Sequence, residues 1–224
     1  MQENNLLKAV IFDMDGVIAD SELHWDDIDA DMLREHGVEY KGEHKSHVLG
    51  KSFALSLGFY KTQYSLSPSI AELAARRQSI AAEYFASVIP IYPDAVAVLE
   101  FLREKKLKIG MATSSVGELA RPFLQRHGLQ EYFDVVVTGE EIERGKPEPD
   151  IYLRAAQKLE VEPEYSLVVE DALSGIQAGK SAGMRVAAIP DARFVDVAEY
   201  SDKADYILND LGELPDLVQR VYDL

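Results

Sequence analysis

Short apolar runs that recur along the chain, alternating with helical patterns from about residue 90 onward, constrain its fold more than any other feature. The first run, Leu6 to Phe12, mixes Leu, Val, Ile and Phe without alternation and stops at Asp13-Met14-Asp15-Gly16. An unalternating run ended by polar residues and glycine suits a strand covered on both faces, as in a parallel sheet. Comparable runs are Lys108 to Ala112, Asp134 to Thr138, Ser166 to Val169 and Arg185 to Ile189, with a shorter one at Tyr206 to Leu208. Between them Ala95 to Lys106, Gly117 to His127, Ile151 to Leu159 and Leu173 to Ala182 carry apolar residues at three- and four-residue spacing, the mark of amphipathic helices. This alternation predicts an α/β fold, a doubly wound parallel sheet with helices on both faces.

One stretch breaks the rhythm. From Ser21 to about Val88 there is no convincing strand, only helix-like segments such as Glu22 to His36 and Ile70 to Ser87, the latter started by Ser67-Pro68-Ser69. An all-helical module inserted after the first strand is therefore expected, with residues 21–88 as the insert and residues 1–20 and 89–224 as the sheet domain. The return point is Ile89-Pro90-Ile91-Tyr92-Pro93-Asp94, where two prolines interrupt the helix.

The 224 residues include no cysteine, which excludes a disulfide framework, a thiolate nucleophile and Cys-ligated zinc or iron–sulfur sites. Metal chemistry must then use oxygen or imidazole ligands. With 23 Lys and Arg against 39 Asp and Glu the net charge is −16, which argues against nucleic acid and anionic membranes as partners. The N-terminal MQENNLLKAVIFDMDG lacks the uncharged apolar stretch of a signal peptide or membrane span, so a soluble, cytoplasmic protein is expected. The oligomeric state is not legible, with a monomer favoured.

Chemistry gathers where the strands end. Asp13 and Asp15 stand just beyond the first strand, at the edge where open α/β sheets place their sites. Residues two apart on extended backbone point the same way, so both carboxylates can address one ligand, and Gly16 lets the chain turn sharply. An ordinary capped turn is the plainer reading of the same tetrad. Thr113-Ser114-Ser115 follows the second strand and is suited to holding phosphate oxygens, or simply to capping a helix. After the third strand, two prolines in Gly145-Lys146-Pro147-Glu148-Pro149-Asp150 stiffen the segment around Lys146, and a rigid lysine is a good counter-charge for an anionic transition state. Glu170-Asp171 ends the fourth strand, where helix capping by Asp171 is the alternative. Together, two carboxylate pairs make an oxygen-only site of the kind Mg²⁺ prefers, while hydroxyls and a lysine are left for a phosphate.

In chain order Phe12-Asp13-Met14-Asp15-Gly16-Val17, Ala112-Thr113-Ser114-Ser115, Gly145-Lys146-Pro147-Glu148-Pro149-Asp150 and Val169-Glu170-Asp171-Ala172 resemble the four signatures of the haloacid dehalogenase-like superfamily of phosphohydrolases. The resemblance spans essentially the whole chain, including Ser174-Gly175-Ile176-Gln177-Ala178-Gly179 and the helical insert. It is nearest to the subgroup of β-phosphoglucomutase and sugar-phosphate phosphatases, with a Rossmann-like core and a small four-helix cap. The resemblance implies that Asp13 attacks phosphorus to form an aspartyl-phosphate and that Asp15 is general acid and then general base. It further implies Mg²⁺ held by Asp13, the backbone carbonyl of Asp15 and Asp171, with Glu170 as a direct or water-mediated supporter. Thr113, the amide of Ser114 and Lys146 are implied to bind the transferring phosphoryl oxygens.

The expected reaction is Mg²⁺-dependent hydrolysis of a small phosphate monoester, most readily a sugar phosphate. Asp15 argues against carbon–halogen and phosphonate cleavage, whose enzymes in this superfamily replace it. The first alternative is a phosphosugar mutase. As the resemblance places them, the mutases' phosphate-holding arginine and lysine correspond here to Phe53 and Ala75, with Lys51 and Arg76 a short distance off in sequence. A one-residue shift on a helix turns a side chain by about 100°. A non-catalytic binding protein on the same fold is the other alternative, against which the intact Asp13, Asp15, Lys146 and Asp171 speak. Candidate substrate contacts in the insert are His24, Lys51, Ser52, Arg76 and Arg77. Trp25 reads as core of the insert rather than a substrate platform.

Overall fold

The computed structural model describes residues 6–41 and 53–222, with the side chains of 53–55 left aside. Among these residues the elements are, in chain order, β1 (Ala9–Phe12), α1 (His24–Arg34), α2 (Phe53–Gln63), α3 (Ile70–Ser87), α4 (Ala95–Glu104), β2 (Lys108–Thr113), α5 (Gly117–Arg126), β3 (Val135–Thr138), α6 (Asp150–Leu159), β4 (Ser166–Glu170), α7 (Leu173–Ser181), β5 (Arg185–Ala188), β6 (Tyr206–Ile207) and α8 (Leu214–Val221), with short 3₁₀ turns between several of them. The chain divides into two compact units. One takes the chain up to Asp20 and from Pro90 onward, and the other is Ser21–Ile89.

The first unit is the doubly wound α/β fold expected from the sequence. Its six strands run parallel in the order β3-β2-β1-β4-β5-β6. β1 and β4 are buried along their whole length, which is why their sequences show no alternation. The chain steps outward from β1 through β2 and β3, then returns to the other side of β1 for β4, β5 and β6. Such a reversal opens a crevice beyond the carboxyl ends of the central strands. Register sets its floor: Phe12 lies beside both Met111 and Val169, so the segments that follow β1, β2 and β4 emerge close together. One face of the sheet, with Ile11, Ala112, Val137 and Val168, packs on Tyr152, Ala155 and Ala156 of α6 and on Ile176 of α7.

The expected strands and helices of this unit are all present, with ends moved by up to three residues. β1 begins at Ala9 rather than Leu6, whose side chain is exposed. α8 was not expected.

The second unit is helical throughout its regular elements among the described residues. α3 starts where Ser67-Pro68-Ser69 places it: Ser69 and Glu72 close a reciprocal capping box, the Glu72 amide donating to Ser69 Oγ at 3.2 Å and the Ser69 amide to Glu72 Oε2 at 2.7 Å. Buried Asp29 of α1 accepts from the Tyr60 hydroxyl of α2 at 2.8 Å and from the Arg77 guanidinium of α3, tying the three helices together. Arg77 also lies 4.6 Å from the Trp25 ring centroid, and half-buried Trp25 sits 5.9 Å from Phe85, so the tryptophan packs against its own unit.

At the boundary, the two segments of the first unit that lead into and out of the helical unit pair with each other. Ala19 and Ile91 form an antiparallel bridge, the Asp20 amide donates to the Pro90 carbonyl at 3.0 Å, and the Tyr92 amide donates to the Ile18 carbonyl at 3.0 Å.

Candidate active site

The crevice at the strand reversal collects the motifs. Asp13 continues β1 by one residue, its amide donating to the Val169 carbonyl of β4 at 3.0 Å, and its side chain is buried. The chain then folds into a tight loop in which the amides of Ile18 and Ala19 donate to the Met14 carbonyl. The turn gives the two carboxylates different hydrogen-bond partners, although the Asp15 charge still acts on Asp13. Asp13 joins Glu170 and Asp171 in a cluster whose carboxylate oxygens lie within 4.8 Å of one another, while the Asp15 carboxylate accepts from the Ser115 hydroxyl at 2.9 Å.

Gly16 is what lets the loop and the end of β4 come together. Its φ of +73° lies in the left-handed region, and a Cβ built on it would stand 2.1 Å from Asp171 Oδ2. Replacement of Gly16 by alanine is therefore expected to displace Asp171, destabilise the protein by about 2 kcal/mol or more, and weaken divalent-cation binding at least tenfold. Chemical denaturation and a calorimetric metal titration check both effects; retention of wild-type metal affinity would exclude the close packing as a requirement.

Lys146 reaches the cluster from the segment between β3 and α6. Arg144 spans that segment with two parallel bonds to Asp150, at 3.1 and 2.9 Å, and the Glu148 amide donates to the Gly145 carbonyl at 3.0 Å. The buried ammonium stands 2.9 Å from Asp13 Oδ1 and 2.6 Å from Glu170 Oε1. Glu170 is fully buried at the end of β4; its Oε1 also accepts from the Tyr152 hydroxyl at 2.8 Å, and its Oε2 from the Ala172 amide at 2.9 Å. Gly175, in the first turn of α7, makes room for it, since a Cβ there would fall 1.6 Å from Glu170 Oε1.

Thr113, fully buried, ends β2, and its Oγ1 accepts from the Ser115 amide at 3.0 Å, so the hydroxyl keeps its own proton for another acceptor. The Gly117 amide at the start of α5 donates to Glu140 Oε2 at 2.9 Å. The Ser114 amide, between these two, makes no hydrogen bond to the described residues.

Burial sets the electrostatics. It pushes the Asp13 carboxyl up to about 7, with Lys146 pulling against it and the Glu170 and Asp15 carboxylates adding to it. For Lys146 burial acts downward, but the adjacent Asp13 and Glu170 carboxylates outweigh it and hold the ammonium well above its ordinary value. Burial and the Glu170 carboxylate likewise raise the Tyr152 phenol well above its ordinary range.

Asp13, Glu170 and Asp171 could hold a metal ion, and three observations fit one. The donors are all hard oxygens within a few ångströms. Asp13 Oδ1, although in charge contact with Lys146, receives no directed hydrogen bond among the described residues. The three carboxylates of the cluster are faced by Lys146, which contacts Asp13 and Glu170, and the remaining negative charge is one that a divalent cation offsets.

In the helical unit His24 opens α1, with Nδ1 3.5 Å from Asp27 Oδ2 and its ring 6.2 Å from that of Tyr84. Arg76 is engaged with Glu35, its Nε donating at 2.8 and 3.0 Å. Lys51 and Ser52 lie outside the described residues. Ser115 belongs to the hydroxyl cluster expected from the sequence, but its bond to Asp15 is not legible there; Tyr152 is hidden by its place in the apolar pattern of α6. The signal for Tyr152 is that a buried phenol must find a partner for its hydroxyl.

A doubly wound sheet with acidic groups beyond β1 and β4, a lysine after β3 and hydroxyls after β2 is an arrangement of oxygens and one ammonium that suits phosphoryl transfer. The sequence profile of the haloacid dehalogenase-like hydrolases matches residues 10–189, and the chain belongs to that family. It is 33% identical over 178 residues to a phosphorylated carbohydrates phosphatase of Thermotoga maritima, covering 80% of this chain and 82% of that protein. It is 30% identical over 214 residues to hexitol phosphatase B of Escherichia coli, covering 92% and 93% of the two chains. A candidate β-phosphoglucomutase of Thermotoga maritima, known as a crystal structure, superposes with a TM-score of 0.83 at 29% identity, over 96% of this chain and 100% of its own. Among the described residues no helix is long and apolar enough to cross a membrane.

Proposed function

We propose that the protein is a Mg²⁺-dependent phosphatase of small phosphate monoesters, with phosphorylated sugars or polyols as the substrate class. The observation that carries this reading is a buried carboxylate, Asp13, in charge contact with a buried lysine at 2.9 Å and within a three-carboxylate cluster, in a chain whose relatives include carbohydrate-phosphate phosphatases. Asp13 attacks phosphorus as the bond to the leaving oxygen breaks, and an aspartyl-phosphate results. Asp15, held by Ser115, gives its proton to the leaving oxygen and then takes one from the water that attacks the phosphorus, so that phosphate leaves and Asp13 is regenerated. The Thr113 hydroxyl, the Ser114 amide and Lys146 hold the phosphoryl oxygens. The carboxylates of Asp13 and Asp171 and the Asp15 carbonyl would hold Mg²⁺, with Glu170 beside them; the ion supplies charge neutralisation for the phosphoryl group.

Transfer to a second sugar hydroxyl, as in a mutase, is the competing reading, favoured by the solved relative described above. Against it, Arg76 is engaged with Glu35 and Arg77 with buried Asp29, so neither is a standing site for a second phosphate. A panel of sugar and polyol phosphates, scored separately for released phosphate and isomerised product, tests the two. Phosphate release that EDTA abolishes and Mg²⁺ restores is expected. Isomerisation of β-glucose 1-phosphate without net phosphate release would overturn the phosphatase reading.

A further inference from the structure

Tyr152 is fully buried in the core cluster between the sheet and α6, yet its hydroxyl is not spent on packing. It donates to Glu170 Oε1 at 2.8 Å, the same oxygen that takes Lys146 Nζ at 2.6 Å. The other oxygen of Glu170 is fixed by the Ala172 amide at 2.9 Å. Lys146 Nζ itself stands 5.2 Å from the centroid of the Tyr152 ring. The phenol therefore meets the lysine twice, once through its face and once through the carboxylate they share.

We infer that Tyr152 is a positioning residue, which through Glu170 holds the Lys146 ammonium against Asp13 Oδ1 where the phosphoryl oxygens arrive. The purpose of that position rests on the phosphoryl-transfer reading above; the positioning itself rests on geometry. The Ala172 amide holds one oxygen of Glu170, and the position of the other, shared between a flexible ammonium and a rigid phenol, is set by the phenol. The lysine has four rotatable bonds and three donors, and cannot set it alone. Buried polar groups are reliable as positioning devices only when every member is satisfied, and here Glu170 receives three hydrogen bonds from three separate segments. Without the hydroxyl, Glu170 can follow the lysine instead of anchoring it. The small displacement that results is of the kind that costs turnover rather than binding, because the lysine's charge is needed most in the transition state.

The test is Tyr152→Phe, which keeps the ring and its packing and deletes only the hydroxyl. In the full-length protein with Mg²⁺ and its best phosphate ester, kcat is expected to fall about tenfold or more with KM within about twofold. A crystal structure of the variant is expected to show Lys146 Nζ moved away from Asp13 Oδ1. Unchanged kcat with the ammonium in its place would overturn the inference. So would a loss of activity explained by a lowered melting temperature with the ammonium still in place. If the wild type released phosphate from no ester, the phosphatase reading would fall, while the position of Lys146 in the variant crystal would still decide the positioning role.

Discussion

Asp13→Asn is expected to abolish phosphate release, by at least about 10⁴-fold, and at the same time to make the metal-free protein more stable. The first effect follows from the nucleophilic role proposed for Asp13, since an amide cannot form the aspartyl-phosphate. The second follows from its burial. The Asp13 carboxyl is pushed up to about 7 by burial, with Lys146 opposing and Glu170 and Asp15 reinforcing the rise, from an ordinary value of 3.8. Between those values the folded protein holds a proton that the unfolded chain has released, so this group's contribution to stability is full below the lower value and is lost as pH rises through the upper one. Asparagine carries no charge to bury, and Lys146 keeps Glu170 at 2.6 Å as its counter-charge, so no buried charge is stranded. In EDTA the difference between variant and wild type should therefore be small near pH 4 and grow to a plateau above about pH 7. At about 1.4 kcal/mol per pH unit the gain is on the order of 4 kcal/mol at most. Urea melts of both proteins across that range check it. A variant less stable than wild type at pH 8 without metal would show that the carboxylate is at ease in its site. Added Mg²⁺ should then stabilise the wild type more than the variant, by mass action on a site that only the wild type has complete.

This trade between stability and chemistry explains which parts of the molecule the sequence disclosed. The sheet was legible because β1 and β4 are buried on both faces and so lose all alternation, and because Asp13, Thr113 and Glu170 punctuate the strand ends. α2 was not singled out because its sequence, FALSLGFYKTQ, has apolar residues all round and shows no stripe. The arrangement within the site was less legible than its membership. Spacing suggests that Asp13 and Asp15 serve one site, but not that Asp13 meets Lys146 while Asp15 takes the Ser115 hydroxyl. Glu170 and Tyr152 come together from β4 and α6, and no local pattern announces a contact made through the core of the sheet domain. The Arg76 pairing with Glu35 is of the same kind, since the partner is far along the chain, at the C-terminal end of α1.

Lys146→Met should also destroy activity, but with the opposite effect on stability. Methionine keeps the length and much of the apolar stem of lysine, so packing is nearly preserved and the change isolates the charge. Without the ammonium, Asp13 and Glu170 are buried carboxylates facing each other with no counter-ion, and breaking a buried pair from one side typically costs about 3 to 5 kcal/mol. The pH dependence separates this from a packing defect. Lys146 is held well above its ordinary 10.5 by the two carboxylates that outweigh its burial, so its contribution is complete below that value and is lost only as pH rises through the folded value. The deficit of the variant should accordingly be full at pH 8 in EDTA. At pH 5 it should shrink, because the stranded Asp13, already raised to about 7 by its burial, is then protonated instead of charged. Phosphate release should fall about 10³-fold or more, since the lysine's charge is set against the transferring phosphoryl oxygens. Mg²⁺ should recover part of the stability and little of the activity, because a cation at the carboxylate cluster can neutralise Asp13 but cannot stand where the ammonium stood. Full recovery of turnover with Mg²⁺ would mean that Lys146 serves the fold alone, and that the phosphoryl group is held by other donors.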